Sequence, residues 1–373
     1  MTAKGFDIAI IGGGVIGLTL ARALCDRGAK LAVFDAGADV PQATRAAAGM
    51  LAPSFEYGEE FGGPAEAVYH LGARSLAMWA DYAAALEQET GVFVDYRSDG
   101  ALGLSYRDEQ TAALAEQAAQ VKRLGGDVEM ISGDEARELE PALSADIAAA
   151  LHAPKDTQVD PRRVMAALKV SLNRRGVEII QGRVLSLGDG ETIRQFVTAE
   201  GDIYEANRKV LATGAVGGLT SRGLVYPVKG EATAIASESV ITRVLRAPGA
   251  YLCPKAEGRL VIGATEEIGP FDHHSVSPAA VAGLRANAAR AVPALGMAAE
   301  LERWAGLRPG TPDGAPIMGQ DKNGRYLALG HYRNGVLHAP AAAEAMAALI
   351  LGETPAFDLA PFSISRFSSG RDG

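Results

Sequence analysis

The sequence predicts an α/β fold in which a layer of parallel strands and helices is interleaved with a mixed, mainly antiparallel sheet carrying further helices. Three observations lead there. The first 35 residues read strand, tight turn, helix, strand, the opening of a βαβ unit. Long segments with apolar residues at helical spacing recur at 65–89, 109–124, 161–174 and 278–291. Short apolar runs bounded by turn residues fill much of 177–263 and read as strands.

Taken in order, residues 6–11 form the short apolar run expected of a strand buried on both faces. Residues 15–27 carry helical periodicity and stop at Gly28, a residue suited to the left-handed turn that follows a helix. A second apolar run at 31–34 closes the unit. Residues 93–105 and 128–131 read as strand pieces. Asp160 followed by Pro161 reads as an N-cap with proline at the first helical position, opening a helix to about residue 174. Strands are expected at 177–180, 184–187, 194–198 and 209–212, then at 225–236, 250–253 and 260–263. A strand at 326–329 and an alanine-rich helix after Asn334 come last, and the polar residues 368–373 are expected to fray. There is no internal repeat or low-complexity linker.

Composition bounds the function. A chain of 373 residues buries a full core without disulfide or metal staples, and the length suggests two or three domains. With 45 acidic against 36 basic residues the net charge is −9, and no basic run stands out. That argues against nucleic acid or an anionic membrane as partner. The two cysteines, Cys25 and Cys253, form no CxxC pair; both read as core residues and suit a reducing cytoplasm. Residues 6–24 resemble a signal peptide or anchor in hydrophobicity, but their four glycines favour a phosphate-binding turn. The apolar stretch 335–352 holds His338, Pro340 and Glu344, so no membrane anchor is expected.

Gly12-x-Gly14-x-x-Gly17 stands between the first strand and the first helix, with Val15 and Ile16 opening that helix. Gly12 permits a sharp turn, Gly14 lets backbone approach a pyrophosphate, and Gly17 lets helix pack on strand. The helix N-terminus offers N–H groups and the positive end of its dipole to phosphate. Asp35, followed by Ala36, ends the second strand, where a carboxylate can accept both hydroxyls of a ribose. These features in register define a Rossmann-type dinucleotide site but do not separate FAD from NAD. Three further segments favour FAD. The loop Thr44, Arg45, Ala46, Ala47, Ala48, Gly49, Met50 is made mostly of small residues that can lie flat against a cofactor; a plain helix start is the alternative. Thr213 and Gly214 end a strand in a second close approach. Gly330 to Gly335 leaves a late strand and opens the last helix, whose N-terminus would favour negative charge on a reduced ring.

These segments, read as IIGGGVIG, RAAAGML, PVKGE, GRLVIGAT, WAGLRPGTPDG and GHYRNGVLHAP, run nearly end to end. The chain resembles the D-amino acid oxidase-like FAD-dependent oxidoreductases, and within them the glycine oxidase (ThiO) type. The resemblance implies a Rossmann-type FAD-binding domain over 1–50, 150–220 and 312–373. It implies a substrate-binding domain over 51–149 and 221–311. Related sarcosine oxidases tether FAD to a cysteine near the counterpart of 306–313; none stands there, so FAD is expected to bind non-covalently. The implied reaction oxidises a small amino acid or amine to a 2-oxo acid and ammonia, with dioxygen reduced to hydrogen peroxide. Glyoxylate would be the product from glycine. A homo-oligomer and a place in thiamine biosynthesis are also implied; no metal is.

By the same resemblance, Arg308 pairs with the substrate carboxylate and touches the flavin, a structural salt bridge being the alternative. Arginine suits the role because its planar fork holds a carboxylate bidentately. Tyr251 falls on a second donor to that carboxylate, or is a core tyrosine. Arg333 falls at the edge of flavin and pocket. Gly330, Tyr332, Asn334, Gly335 and Val336 would line the pyrimidine end of the flavin, Val184 the adenine, and Met50 the ring. No catalytic role is expected of His273 or His274. Three positions depart from the pattern. Glu266 stands for a methionine, Gly249 for a histidine and His338 for a leucine. Glu266 either enters the pocket, favouring an amine with a second positive charge, or points to solvent. Competing readings are a quinone-linked D-amino acid dehydrogenase, a sarcosine-type secondary-amine oxidase, an NAD-dependent dehydrogenase and a non-enzymatic role.

Overall fold

A computed structural model describes residues 4–37, 42–56, 64–187, 195–215, 219, 223–238, 240–270, 272 and 275–367. His273, His274, Arg194 and residues 368–373 lie outside the described residues.

The first sheet is built on the expected βαβ unit. Its order is Ile317–Gln320, Tyr326–Leu329, Ile203–Leu211, Lys4–Ile11, Leu31–Asp35 and Glu178–Gln181. The central strands run parallel, and Ile8, Ala9, Ile10 and Ile11 pair with residues 31–34. Ile317–Gln320 joins antiparallel, and Gln195–Thr198 and Val184–Ser186 form an antiparallel flap on Ile203–Leu211. The helix Val15–Cys25 ends two residues before the expected Arg27, and Gly28 takes its left-handed turn beyond it. Asp160 caps Pro161–Arg174 as expected, its Oδ1 accepting from the Arg162 N–H at 2.9 Å.

The second sheet has the order Glu300–Gly310, Tyr226–Ala236, Arg259–Gly263, Ala250–Pro254, Val244–Ala247, Ala101–Ser105, Ala149–Ala153 and Glu129–Ser132. Its neighbours are antiparallel except Val244–Ala247 beside Ala101–Ser105. Four of its strands differ from the sequence expectation, and Ala149–Ala153 and Val244–Ala247 were not expected at all. Residues 93–100 are irregular, leaving only Ala101–Ser105 as strand. Glu300–Gly310 is a strand to which the sequence reading gave no element; as the edge strand it tolerates Pro309. The short helix Gly133–Leu139 was also not expected, although Ser132 and Glu135 form a full capping box before it.

The helix Ala65–Thr90 lies in the range expected of the substrate domain. Its buried face (Leu71, Trp79, Ala83 and Leu86) packs into the core shared by Val15–Cys25, Pro161–Arg174 and Gly335–Leu351. Trp79 Nε1 donates to the Leu337 carbonyl at 3.0 Å, tying this helix to the first turn of the last one. Gly335–Leu351 is nearly all buried and bridges the layers at its N-terminal end. Among the described residues no helix is long and apolar enough to cross a membrane.

Candidate active site

Two cavities meet where the layers meet. The first runs along the carboxyl ends of the parallel strands, the place where open α/β sheets bind ligands. It is lined by Gly12, Gly14, Val15, Ile16, Asp35, Ala36, Thr44, Ala47, Val184, Thr213, Gly214, Gly330, Tyr332, Arg333, Gly335 and Val336. Gly12 has φ +124°, open to glycine, and its N–H donates to the Phe34 carbonyl at 2.8 Å. A Cβ there would collide with the Ala212 carbonyl. Gly13, not singled out by the motif, is needed as much: a Cβ would fall 2.6 Å from the buried Asp35 carboxylate. The run of three glycines was the signal for it. Gly17 lines neither cavity. A Cβ on it would meet the Gly12 carbonyl, so it sets the approach of helix to turn. Asp35 Oδ1 accepts from the Gly37 N–H at 3.2 Å, and Lys169 Nζ stands 3.8 Å from Oδ2. Thr44 Oγ1 accepts from the Val15 N–H at 3.1 Å, fixing the small-residue loop on the helix N-terminus. With no acidic residue in its first turn, that terminus keeps its positive character. Such a cradle, which side chains would fill, fits a dinucleotide pyrophosphate with its ribose on Asp35.

The second cavity opens from the first across Ala47, Tyr332, Arg333 and Val336. Ala46, Ala48, Gly49, Met50, Glu56, Arg246, Tyr251, Glu266, Arg308 and Asn334 also line it. Arg45 enters neither cavity: it is exposed, and its carbonyl accepts from Arg162 Nε at 3.1 Å. Residues 43–46 form a single helical turn before the strand Met50–Leu51, so Arg45 faces out while its neighbours face in.

The floor of this cavity is a pair of glycine seats. Arg308 pairs with Val228 across the strands, which puts Gly230 diagonally beside it on the same face. A Cβ on Gly230 would lie 2.5–2.6 Å from the Arg308 guanidinium, so the guanidinium rests on bare backbone. Tyr251 pairs directly with Gly263, and its ring occupies the space of the missing side chain. Arginine from one side and tyrosine from the other therefore converge over two middle strands. Arg308 Nη1 donates to the Thr265 carbonyl at 3.1 Å and, at 3.5 Å, to that of Lys229. Among the described residues no carboxylate lies within 4 Å of it. Burial pushes the Tyr251 phenol up to about 12 against the pull of Arg308, so it stays protonated and able to donate.

Glu56 was missed by the sequence reading. It stands between two arginines: Arg246 Nη1 donates to Oε1 at 2.7 Å, and Arg333 Nε lies 3.1 Å from Oε2. Burial pushes its carboxyl up, but Arg333, Arg246 and Arg308 outweigh that and hold it below the usual range. Glu266 lines the mouth with its side chain 43% exposed, its Oε2 4.0 Å from Arg333 Nη1. It therefore faces both cavity and solvent. The Tyr332 phenol is pushed up by burial and by its hydrogen bond to Glu266. Tyr332 itself takes φ +46°, uncommon for a side-chain-bearing residue, and its N–H donates to the Pro309 carbonyl at 3.1 Å. His338, one of the departures, is buried against His331 with Nδ1 atoms 3.4 Å apart. Burial lowers His331 to about 3, and burial and His331 together lower His338 well below the ordinary histidine value, so both are neutral.

Residues 7–349 match the family model described as FAD dependent oxidoreductase (DAO). The chain belongs to this family. It is therefore an FAD-dependent enzyme, and the glycine turn and Asp35 of the first cavity fit a dinucleotide cofactor. The glycine oxidase of Geobacillus kaustophilus (strain HTA426) is 33% identical over 371 residues, 97% of each chain. A crystal structure of glycine oxidase from Geobacillus kaustophilus has a TM-score of 0.89 at 32% identity, covering 98% of this chain and 99% of that one. The iminodiacetate oxidase of Chelativorans sp. BNC1 follows the same fold, with a TM-score of 0.83 at 26% identity over 95% of this chain and 98% of that one.

Proposed function

We propose that this flavoenzyme oxidatively deaminates glycine or another small amino acid or amine to a 2-oxo acid, ammonia and hydrogen peroxide. One observation carries the reading: Arg308 lies in the second cavity with two backbone carbonyls and no carboxylate as partner among the described residues. A part-buried guanidinium without a counter-charge is costly, and a substrate carboxylate supplies that charge bidentately. Tyr251 donates the second hydrogen bond to it. Together they hold the amine-bearing carbon towards the opening shared with the cofactor cavity, near Tyr332 and Arg333. A flavin bound there would supply the acceptor for the hydride that carries the two electrons of amine oxidation. Val336 and Met50 keep the junction apolar, and the neutral His331–His338 pair adds no charge behind it. FAD is held without a covalent tether: Cys253 is buried against Gln158 and Ala48, and Cys25 sits in the first helix. The enzyme is cytoplasmic and homo-oligomeric on this reading, and dioxygen is its acceptor.

The test is the purified holoenzyme mixed anaerobically with glycine, sarcosine, D-alanine, D-proline and D-lysine. Bleaching of the flavin bands by one of them, and peroxide on readmitting air, is the expected result. Bands that survive every amine refute the reading. Arg308→Ala should keep its yellow flavin and lose most of kcat/KM, a loss of several kcal/mol as for truncated buried charge pairs. Unchanged kinetics would remove Arg308 from the role.

A further inference from the structure

The second cavity is lined by three arginines (Arg246, Arg308 and Arg333) and two glutamates, Glu56 and Glu266. Among the described residues, that leaves one net positive charge. One substrate carboxylate on Arg308, with the amine neutral, brings the cavity to neutrality. We infer that Glu266 restricts this enzyme to amines carrying a single carboxylate, by placing a negative charge where a second substrate carboxylate would have to bind. The inference rests on the reading of Arg308 as the carboxylate anchor.

The geometry argues for Glu266 in particular. Arg246 is committed to Glu56 at 2.7 Å, and its guanidinium stacks 5.2 Å from the centre of the Phe55 ring. Arg333 is the remaining cation at the junction. Its Nε faces Glu56 at 3.1 Å, and its Nη1 faces Glu266 at 4.0 Å. Tyr332 donates its phenol to the same Glu266 carboxylate and so holds it at the mouth. Both sides of the Arg333 fork thus already meet carboxylate. A substrate with a second carboxylate would reach Arg333 only beside Glu266, against like charge. Glu56 cannot play this part, because it is buried behind the two arginines and held ionised by them. Glu266, at the end of the strand-following segment after Thr265, is the carboxylate a substrate meets on entry.

Replacing Glu266 by glutamine keeps an acceptor for Tyr332 and removes the charge. The cavity then carries two net positive charges and matches a dicarboxylate. Two like charges about 6 Å apart, in the effective dielectric of a partly exposed site, change the preference on the order of 10–100-fold. Solvent screening at the mouth places the change at the lower end of that range.

The experiment uses holoenzyme, wild type and Glu266→Gln and Glu266→Lys variants. The kcat/KM for glycine and D-alanine is compared with that for iminodiacetate and D-aspartate. Binding of acetate and malonate is measured by calorimetry on the same preparations, which needs no turnover. The expected result is a dicarboxylate-to-monocarboxylate ratio that rises about tenfold or more from wild type to Gln and again to Lys, in both kinetics and binding. A ratio that stays constant across the three proteins overturns the inference, as does a wild type that already prefers malonate. If no amine reduces the flavin while the malonate-to-acetate ratio still rises, the oxidase reading fails and the charge selection by Glu266 stands.

Discussion

Gly230→Ala is the substitution that most directly tests whether Arg308 works by position. A Cβ at residue 230 would lie 2.5 Å from Nη2 and 2.6 Å from Cζ and Nη1 of Arg308. Ordinary contact needs about 3.5 Å, so the guanidinium must move by roughly 1 Å. The backbone has no reason to object. Gly230 lies within a strand paired on both sides, and glycine there is if anything weakening, so alanine is neutral or stabilising by about 0.5 kcal/mol. The guanidinium is the far end of a long side chain and gives way cheaply. The loss falls on the reaction: a misplacement of about 1 Å costs on the order of a hundredfold in rate, or about 2.7 kcal/mol. The assay is anaerobic flavin reduction and kcat/KM with the best amine, alongside the flavin-to-protein ratio and Tm. The expected result is kcat/KM down about a hundredfold with flavin content and Tm unchanged. A variant that retains kcat/KM within about threefold refutes the positional argument, whatever the fate of Arg308→Ala.

Two further predictions concern stability. Because His331 titrates at about 3 in the folded chain and near 6.5 when unfolded, acid favours the unfolded chain: its stability contribution is complete above 6.5 and is lost progressively towards 3. At pH 5 that is about 2 kcal/mol, and His338 adds to it in the same direction; His338→Leu should shrink the loss of urea-unfolding stability between pH 8 and pH 5, whereas an equal loss in both proteins would sink the idea. Burial pushes Asp156 from 3.8 to about 8, so folding at neutral pH must take up a proton; its contribution is complete below 3.8 and lost as pH rises through 8. Asp156→Asn keeps an acceptor for Ser54 Oγ, now at 2.9 Å, and should raise Tm at pH 8 but not at pH 4; thermal scans giving the same shift at both pH values would count against it.

The dinucleotide cavity was legible because its parts are close in sequence. The turn 12–17, the acid at 35 and the loop at 44–50 follow from local spacing, and the structure brings all but Arg45 and Gly17 to a cavity wall. Arg45 failed because a run of small residues marks a close approach without saying which side chain turns outward. The strand Glu300–Gly310 was hidden because Gly306, Pro309 and Gly310 are weak strand formers; Gly306 makes room for Ala46, and Gly310 for Tyr226 of the neighbouring strand. Glu56 was invisible because its meaning comes from Arg246 and Arg333, which reach it from distant strands and loops. No periodicity or motif encodes a contact of that range. The buried His331–His338 pair is of the intermediate kind. The spacing of seven puts both near one end of a helix, but nothing in sequence says the site is dry.

The order in which the chain visits its two layers bears on how the enzyme comes into being. The parallel layer draws on segments near the start, the middle and residues 317–351, and the other layer fills the intervals. During synthesis the Gly12 turn leaves the ribosome early, yet its cavity lacks Gly330, Tyr332 and the helix Gly335–Leu351 until translation is almost over. Cofactor capture is therefore a late event, after the long-range strand pairings have formed, and such non-local topology folds slowly. A nascent chain interrupted before residue 330 holds half of a phosphate cradle and nothing to close it.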